Sequence, residues 1–539
     1  MGVNRNTVVL TRGAWAAVGV AIPAIFVGVF FAYPVARMIG LGLDPAAFAE
    51  VFSRPRTIRL IGLTIGQAAL ASVISTALGV PIAHVLYRLQ FRGQRVLRAL
   101  VIVPFVLPTV VVGIAFRTLL KDTPLDGTFA AILLALVFFN VAVVVRTVGA
   151  SWEGLDPRQE EAASVLGASP ARVFATVTLP RLLPSIVSAA SIVFLFCATA
   201  FGVVLVLGGA RFGTIETEIW LLTTQFLDLR AASVLGITQL VVVIILLAVA
   251  ARARGRAVAQ KRAARARPLR RMDAAPLALT LVIAALLALP LAALVIRSFE
   301  TRAGWGLGNY AALATTGTRN ALVVNVWTAL GNSLLTAAAA TVIALIVGLT
   351  ASIVLSRRHR QRWAKRALEL FDGALMLPLG VSAVTVGFGF LIALNTPPLD
   401  LRTSPVLVPI AQALIAVPLV IRTILPVLRS VDPRMRESAA VLGIPPWRVV
   451  ATVDLGIASR AVLASAGLSF AVALGEFGAT TFLSRAERPT LPVVIYRLIG
   501  LPGGDNLGMA IAASVVLAAV TVLIIALVER LRVATVGGF

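Results

Sequence analysis

Glu161 to Pro180 read EAASVLGASPARVFATVTLP, and Glu437 to Gly456 read ESAAVLGIPPWRVVATVDLG. Each stretch is a polar island between apolar segments. The two begin 276 residues apart, and in that register Val165-Leu166-Gly167 meets Val441-Leu442-Gly443, Arg172-Val173 meets Arg448-Val449, and Ala175-Thr176-Val177 meets Ala451-Thr452-Val453. The register extends upstream to Asp156-Pro157 against Asp432-Pro433 and Arg146-Thr147 against Arg422-Thr423. Downstream it reaches Phe194 against Phe470 and Phe201-Gly202 against Phe477-Gly478. A match kept over that length makes the chain a tandem duplication, with the island as its best-kept part.

Around the islands the sequence is too apolar for a soluble protein of 539 residues: 59% is hydrophobic, 13% is charged, and mean hydropathy is +0.97. It reads as an all-α integral membrane protein, because in hydrocarbon a backbone must satisfy its own hydrogen bonds and a helix of about 20 apolar residues does so across the bilayer. Twelve such spans are predicted. The first half carries 14–36, 58–87, 98–118, 128–149, 184–208 and 232–251, and the second half carries 275–297, 327–356, 372–394, 405–427, 459–483 and 508–529. The expected domains are therefore a first six-helix half over 1–251, a basic linker over 252–273 and a second six-helix half over 274–539. Ala14 to Val35 is long for a signal peptide and lacks a clear small-residue cleavage pattern, so it reads as a retained first helix.

The formal charge of +25 does not imply nucleic acid, because the arginines gather in short clusters between spans, as cytoplasmic anchors do. Arg88, Arg92, Arg95 and Arg98 follow the second span, the run 357–366 follows the eighth, and the joint between halves carries a third cluster. If the spans alternate, all three clusters fall on one side. That side is read as the cytoplasm, where both termini and both islands also fall. The joint is read as a solvated tether facing lipid headgroups. On the opposite side, short apolar stretches at 219–226 and 491–499 read as interfacial helices. Cys197 stands alone, which excludes an intrachain disulfide, and with only His84 and His359 no metal cluster can be assembled.

Each island reads as helix, break, helix. Asp156-Pro157 and Asp432-Pro433 supply a cap with proline in the first turn, and Gly167 and Gly443 can take positive φ to end the helix. Ser169-Pro170 and Pro445-Pro446 start the next helix. Ala162, Ala163, Ala439 and Ala440 keep the surface helix thin enough to fit a groove in another protein.

In these residues the chain resembles the ATP-binding-cassette importer permeases, whose EAA motif is matched by Glu161, Ala162, Ala163, Gly167, Val177, Leu179 and Pro180. The second island keeps Glu437, Ala439, Gly443, Val453 and Leu455. It departs in Ser438 and in Gly456, where the motif closes on proline, which predicts a looser bend there. The resemblance implies the type I importer permease architecture, here with two halves fused. It also implies that the islands are coupling helices docking on two copies of a cytoplasmic ABC ATPase, and that a periplasmic or lipid-anchored binding protein delivers the solute. ATP and Mg would then sit on the partner subunit, in keeping with the lack of any Gly-x-x-x-x-Gly-Lys-Ser/Thr phosphate loop in this chain, which needs no cofactor of its own. The location implied is the bacterial inner membrane. Fusion, length and the segment from Leu207 to Ile219 are similar to the permeases of thiamine importers, with ferric-iron importers next. Leu474 to Thr480 is similar to sulfate and molybdate permeases.

Gate or pathway candidates are Glu476, Phe201, Phe477 and Gly478. Glu476 is an acid within the eleventh span opposite Ala200, and such a charge needs a partner, water, a helix end or the pathway. Asn140, Arg146 and Arg422 read as interfacial anchors, while Pro104, Pro108, Pro378, Gly113 and Gly387 read as breaks in the third and ninth spans. An ion-driven secondary transporter shares the twelve-helix layout but calls for buried ionisable residues, which the spans nearly lack, and leaves the paired islands unexplained.

Overall fold

The computed structural model describes residues 19–209, 211–253, 267–269, 271–357, 361–395, 399–401, 403–501 and 503–531. Most of the predicted basic joint and both termini lie outside them. Among the described residues ten helices are long and apolar enough to cross a bilayer: Gly19–Gly42, Pro55–Arg88, Phe129–Glu153, Pro170–Ala198, Leu229–Val249, Ala274–Ser298, Val326–Leu355, Leu407–Ser430, Trp447–Gly475 and Gly504–Val528. The chain is an all-α membrane protein with the six-plus-six order of the sequence.

The third and ninth predicted spans are not kinked rods but corners. Gln94–Val106 meets Thr109–Leu120 at 107°, and Arg362–Gly380 meets Ala383–Ala393 at 99°. Proline chemistry accounts for the first corner: Leu107 and Pro108 are extended, and Pro108 has no N–H to continue a helical ladder. In the second corner Val381 is extended and Ser382 caps the new helix, accepting from the Thr385 amide at 3.0 Å. In both pairs the first arm is the more basic, with Arg95 and Arg98 in one and Arg362, Lys365 and Arg366 in the other, whereas the second arm carries Arg117 alone in the first pair and no charged residue in the second.

The chain forms two compact units that do not follow the two sequence halves. Among the described residues one comprises 19–43, 323–494 and 519–531, so the first span packs with second-half helices. There Phe30 lies 6.2 Å from Phe390, and a Cβ on Gly389 would stand 3.1 Å from Pro34 Cβ. The other comprises the described residues of 44–322 and 495–518, so the seventh span, Ala274–Ser298, packs with first-half helices. Its Ile283, Ala284 and Leu287 join Val112, Phe116, Val144 and Leu207 in one buried core. Lipid is as apolar as leucine, so a membrane helix finds its partner by shape and close approach, not by chain order.

Three further features place the islands and the breaks. Both helices that follow the islands begin with a π-helical turn at the same point of the repeat, Phe174–Thr178 and Val450–Asp454. Both fifth-position spans end at a break, after Ala198 and after Gly475, and a short helix follows at Gly202–Gly208 and Thr480–Leu483. The stretches read as interfacial form helices Ile215–Thr224 and Leu491–Gly500, but Ile215, Ile219, Leu491, Ile495 and Leu498 are fully buried. These helices are packed into the protein and do not lie on its surface.

Candidate functional site

The first island folds as its residues dictate. Asp156 accepts from the Arg158 amide at 3.0 Å and starts helix Arg158–Val165. Gly167 ends it at φ +83°, with Gly167 N–H donating to Ser164 O at 3.0 Å and Ala168 N–H to Ala163 O at 3.1 Å, a Schellman closure. Ser169 then accepts from the Arg172 amide and starts the next helix at Pro170.

The second island repeats this closely. Asp432 accepts from the Arg434 amide at 2.9 Å, helix Pro433–Val441 follows, and Gly443 closes it at φ +74° with Ile444 N–H donating to Ala439 O at 3.1 Å. Pro180 against Gly456 predicted a looser second bend, yet the same π turn opens both helices. The turn forms upstream of the proline position, so the proline does not make it.

At the end of each otherwise polar island helix an aliphatic pair is left uncovered. Val165 and Leu166 are each 87% exposed, Val441 is 88% and Leu442 is 78%. Glu161, Ala162, Glu437 and Gly167 are also exposed, while Ala163 is half-buried and Ala439 is buried at 7%, so these alanines seat the helix on its own unit. An aliphatic pair is thus exposed at the same point of both repeats.

The pathway candidates sit at the helix breaks. Glu476 lies at the end of the Trp447–Gly475 helix, with Oε1 accepting from the Ala479 amide at 2.7 Å and Oε2 from the Thr480 amide at 3.0 Å. The carboxylate thus caps the following short helix, where negative charge is favoured. The first half has Ala200 there, and its short helix has no side-chain cap. Phe477 is buried at 2%, and a Cβ on Gly478 would stand 2.8 Å from Ala383 Cβ, so the break packs directly against the start of Ala383–Ala393. Phe201 is buried and lies 6.4 Å from Trp220, which meets Tyr496 edge to face at 5.9 Å. Gly113 and Gly387 are packing positions: a Cβ would stand 2.9 Å from Val206 Cβ and 2.7 Å from Ala479 Cα.

Asn140 is not an interfacial anchor. It is buried inside Phe129–Glu153, and its amide donates to Leu136 O at 2.8 Å and to Cys197 Sγ at 3.3 Å. Arg422 is exposed and Arg146 half-buried. The described end of the basic joint is also not a solvated tether: Arg267–Pro268 pairs in parallel with Leu89–Gln90, and Arg267 binds Asp273, which is 3% exposed, through both guanidinium nitrogens at 2.7 and 2.8 Å.

Residues 75–261 match the family described as binding-protein-dependent transport system inner membrane component. This stretch is a permease domain. The permease is 26% identical over 451 residues to the thiamine transport system permease protein ThiP of Escherichia coli (strain K12), covering 79% of this chain and 81% of that protein. It is 34% identical over 152 residues to the molybdenum transport system permease protein ModB of Haemophilus influenzae, covering 26% of this chain and 66% of that one. The sulfate transport system permease protein CysT of Escherichia coli (strain K12) is 34% identical over 143 residues, 24% of this chain and 52% of that one. A crystal structure of a bacterial ABC transporter importing the acidic polysaccharide alginate aligns with a TM-score of 0.38 and 19% identity, over 42% of this chain and 90% of that one. The chain is an inner-membrane ABC importer permease of the binding-protein-dependent type, similar over both halves to a fused permease.

Proposed function

We propose that this permease carries thiamine from a periplasmic or lipid-anchored binding protein into the cytoplasm, by alternating access driven by two copies of a separate ABC ATPase. The observation that carries the energy-coupling part is the repeated, uncovered aliphatic pair, Val165-Leu166 and Val441-Leu442, on two helices closed in the same way. Each ATPase copy grips one island through the exposed side of its helix, at Glu161, Ala162, Val165, Leu166 and Gly167 or at Glu437, Val441, Leu442 and Gly443, while Ala163 and Ala439 hold that helix against its own unit. Closure on ATP draws the islands together. The gathering of arginines beside the islands supports the reading that the islands and both termini face the cytoplasm.

Within each half the break at Phe201 or at Glu476-Phe477-Gly478 is the point where the helix leaving the island yields as access alternates. A glutamate committed to backbone amides stiffens the second break relative to the first.

Thiamine is favoured by similarity across 79% of the chain to a thiamine permease, whereas similarity to molybdenum and sulfate permeases covers about a quarter of it. Oxyanions and ferric iron are the second reading. A deletion strain distinguishes them: failure to grow on limiting thiamine, restored by this gene, supports the assignment. Normal growth on limiting thiamine with a defect on limiting iron, molybdate or sulfate overturns it.

A further inference from the structure

In the first half, the Arg88 guanidinium at the end of Pro55–Arg88 pairs with Glu160 Oε2 at the start of the island helix, and Thr178 Oγ1 donates to Glu160 Oε1 at 2.9 Å. One carboxylate therefore ties three elements together: the end of the second span, the island helix, and the π turn that opens the fifth span. Thr178 is the last residue of that turn.

In the second half the same three corners are joined by a carboxylate on a different corner. Asp454, the last residue of its π turn, accepts from Arg357 at 2.8 Å through Oδ2 and from Arg436 Nε at 2.7 Å through Oδ1. Arg436 also donates to Leu428 O at 3.0 Å. Thr178 and Asp454 are 276 residues apart, as are Glu160 and Arg436. Arg88 and Arg357 correspond as well, in the register of the second span: Gly79 lies against Val144 and Gly348 against Val420, and both glycines stand nine residues before their arginine. The second linkage is centred on a buried carboxylate, Asp454 at 1% exposed, and the first is partly open to solvent, with Arg88 12% and Glu160 26% exposed.

We infer that Arg88–Glu160–Thr178 and Arg357–Asp454–Arg436 are equivalent latches that hold each island helix rigid against its own half, so that displacement of the island moves the second and fifth spans as one body. The residue types differ, and the linkage of the three corners is what is kept. A carboxylate placed between elements and satisfied on both oxygens resists shear between them, because breaking either bond loses a charge-assisted contact, at the greater cost in the second half where Asp454 is buried. A π turn at the same corner in both halves supplies the backbone site where such a side chain can reach. The residues are positioning residues, and the inference rests on the islands being ATPase docking sites.

The experiment uses the full-length permease reconstituted with its ATPase and binding protein, reading ATPase binding and solute moved per ATP. Glu160→Gln keeps the threonine bond and loses the ion pair. It is expected to bind ATPase as wild type while solute moved per ATP falls by roughly threefold. Glu160→Arg sets two cations at one corner and is expected to lower uptake by about tenfold or more. Glu160→Arg with Thr178→Asp rebuilds the second half's arrangement inside the first and restores uptake to within about twofold of wild type. An unchanged ratio in Glu160→Gln, or a double variant that inserts and folds yet stays as inactive as Glu160→Arg, overturns the latch. Failure of the wild-type permease to bind ATPase at all overturns the docking reading instead.

Discussion

Gly167 and Gly443 hold φ of +83° and +74° at corresponding points of two helices 276 residues apart, and no heavy atom would meet a Cβ added to either. The glycines are required by backbone angle alone and not by space. A left-handed L-residue costs roughly 1–2 kcal/mol, less for asparagine. Gly167→Ala should therefore weaken ATPase binding by a factor of about 5 or more without lowering the amount of inserted protein, and Gly167→Asn should bind more nearly as wild type. Titration of purified permease with its ATPase in detergent checks the order; alanine binding as tightly as glycine contradicts it.

The exposed aliphatic pairs give a prediction that separates docking from folding. Nothing in the described fold covers Val165, Leu166, Val441 or Leu442, and substitutions at such surface positions change stability by about 0.5 kcal/mol or less. Leu166→Asp with Leu442→Asp should leave the melting temperature within a degree or two, by that same reasoning, and abolish co-purification of the ATPase. A large fall in melting temperature shows that these side chains are part of the fold.

At the second break the Glu476 carboxylate satisfies two buried amides, at Ala479 and Thr480. Leaving buried donors unpaired costs about 1–3 kcal/mol each, so Glu476→Ala should destabilise the purified protein markedly and Glu476→Gln less, since one acceptor oxygen remains. Thermal melting orders the two. If alanine melts with wild type, the capping role is absent.

The same break is closely packed. A Cβ on Gly387 would stand 2.7 Å from Ala479 Cα and one on Gly478 2.8 Å from Ala383 Cβ. Backbone cannot retreat as a side-chain tip can, so Gly387→Ala should cost about 1–3 kcal/mol by overpacking. Gly373, with nothing within 4 Å, serves as the control: Gly373→Ala should be neutral or stabilising in the same melting assay.

Local chemistry was legible in the sequence where it acts within a few residues. Asp156, Asp432, Gly167 and Gly443 fix their helix ends through bonds to near neighbours, so the islands could be drawn from residue types alone. Apolar length gave the spans for a similar reason. The exchange of leading spans was not legible, because Gly19–Gly42 and Ala274–Ser298 are apolar nearly all round and name no partner. Nor were the corners at Leu107-Pro108 and Val381-Ser382, where proline and serine announce a break but not its angle. The latches escaped because Glu160 and Arg436, or Thr178 and Asp454, look unrelated in an identity comparison. Only the shared bonding pattern reveals the correspondence.

The central claim is that the chain moves its solute only when an ATPase grips both islands. Uptake of radiolabelled thiamine into proteoliposomes holding the permease, its ATPase and ATP, with the binding protein added outside, tests it most directly. Accumulation in the wild type, and none without ATP or in the Leu166→Asp, Leu442→Asp variant, is the predicted result. Uptake by the permease without ATPase under an ion gradient, or undiminished uptake by that variant, would contradict it.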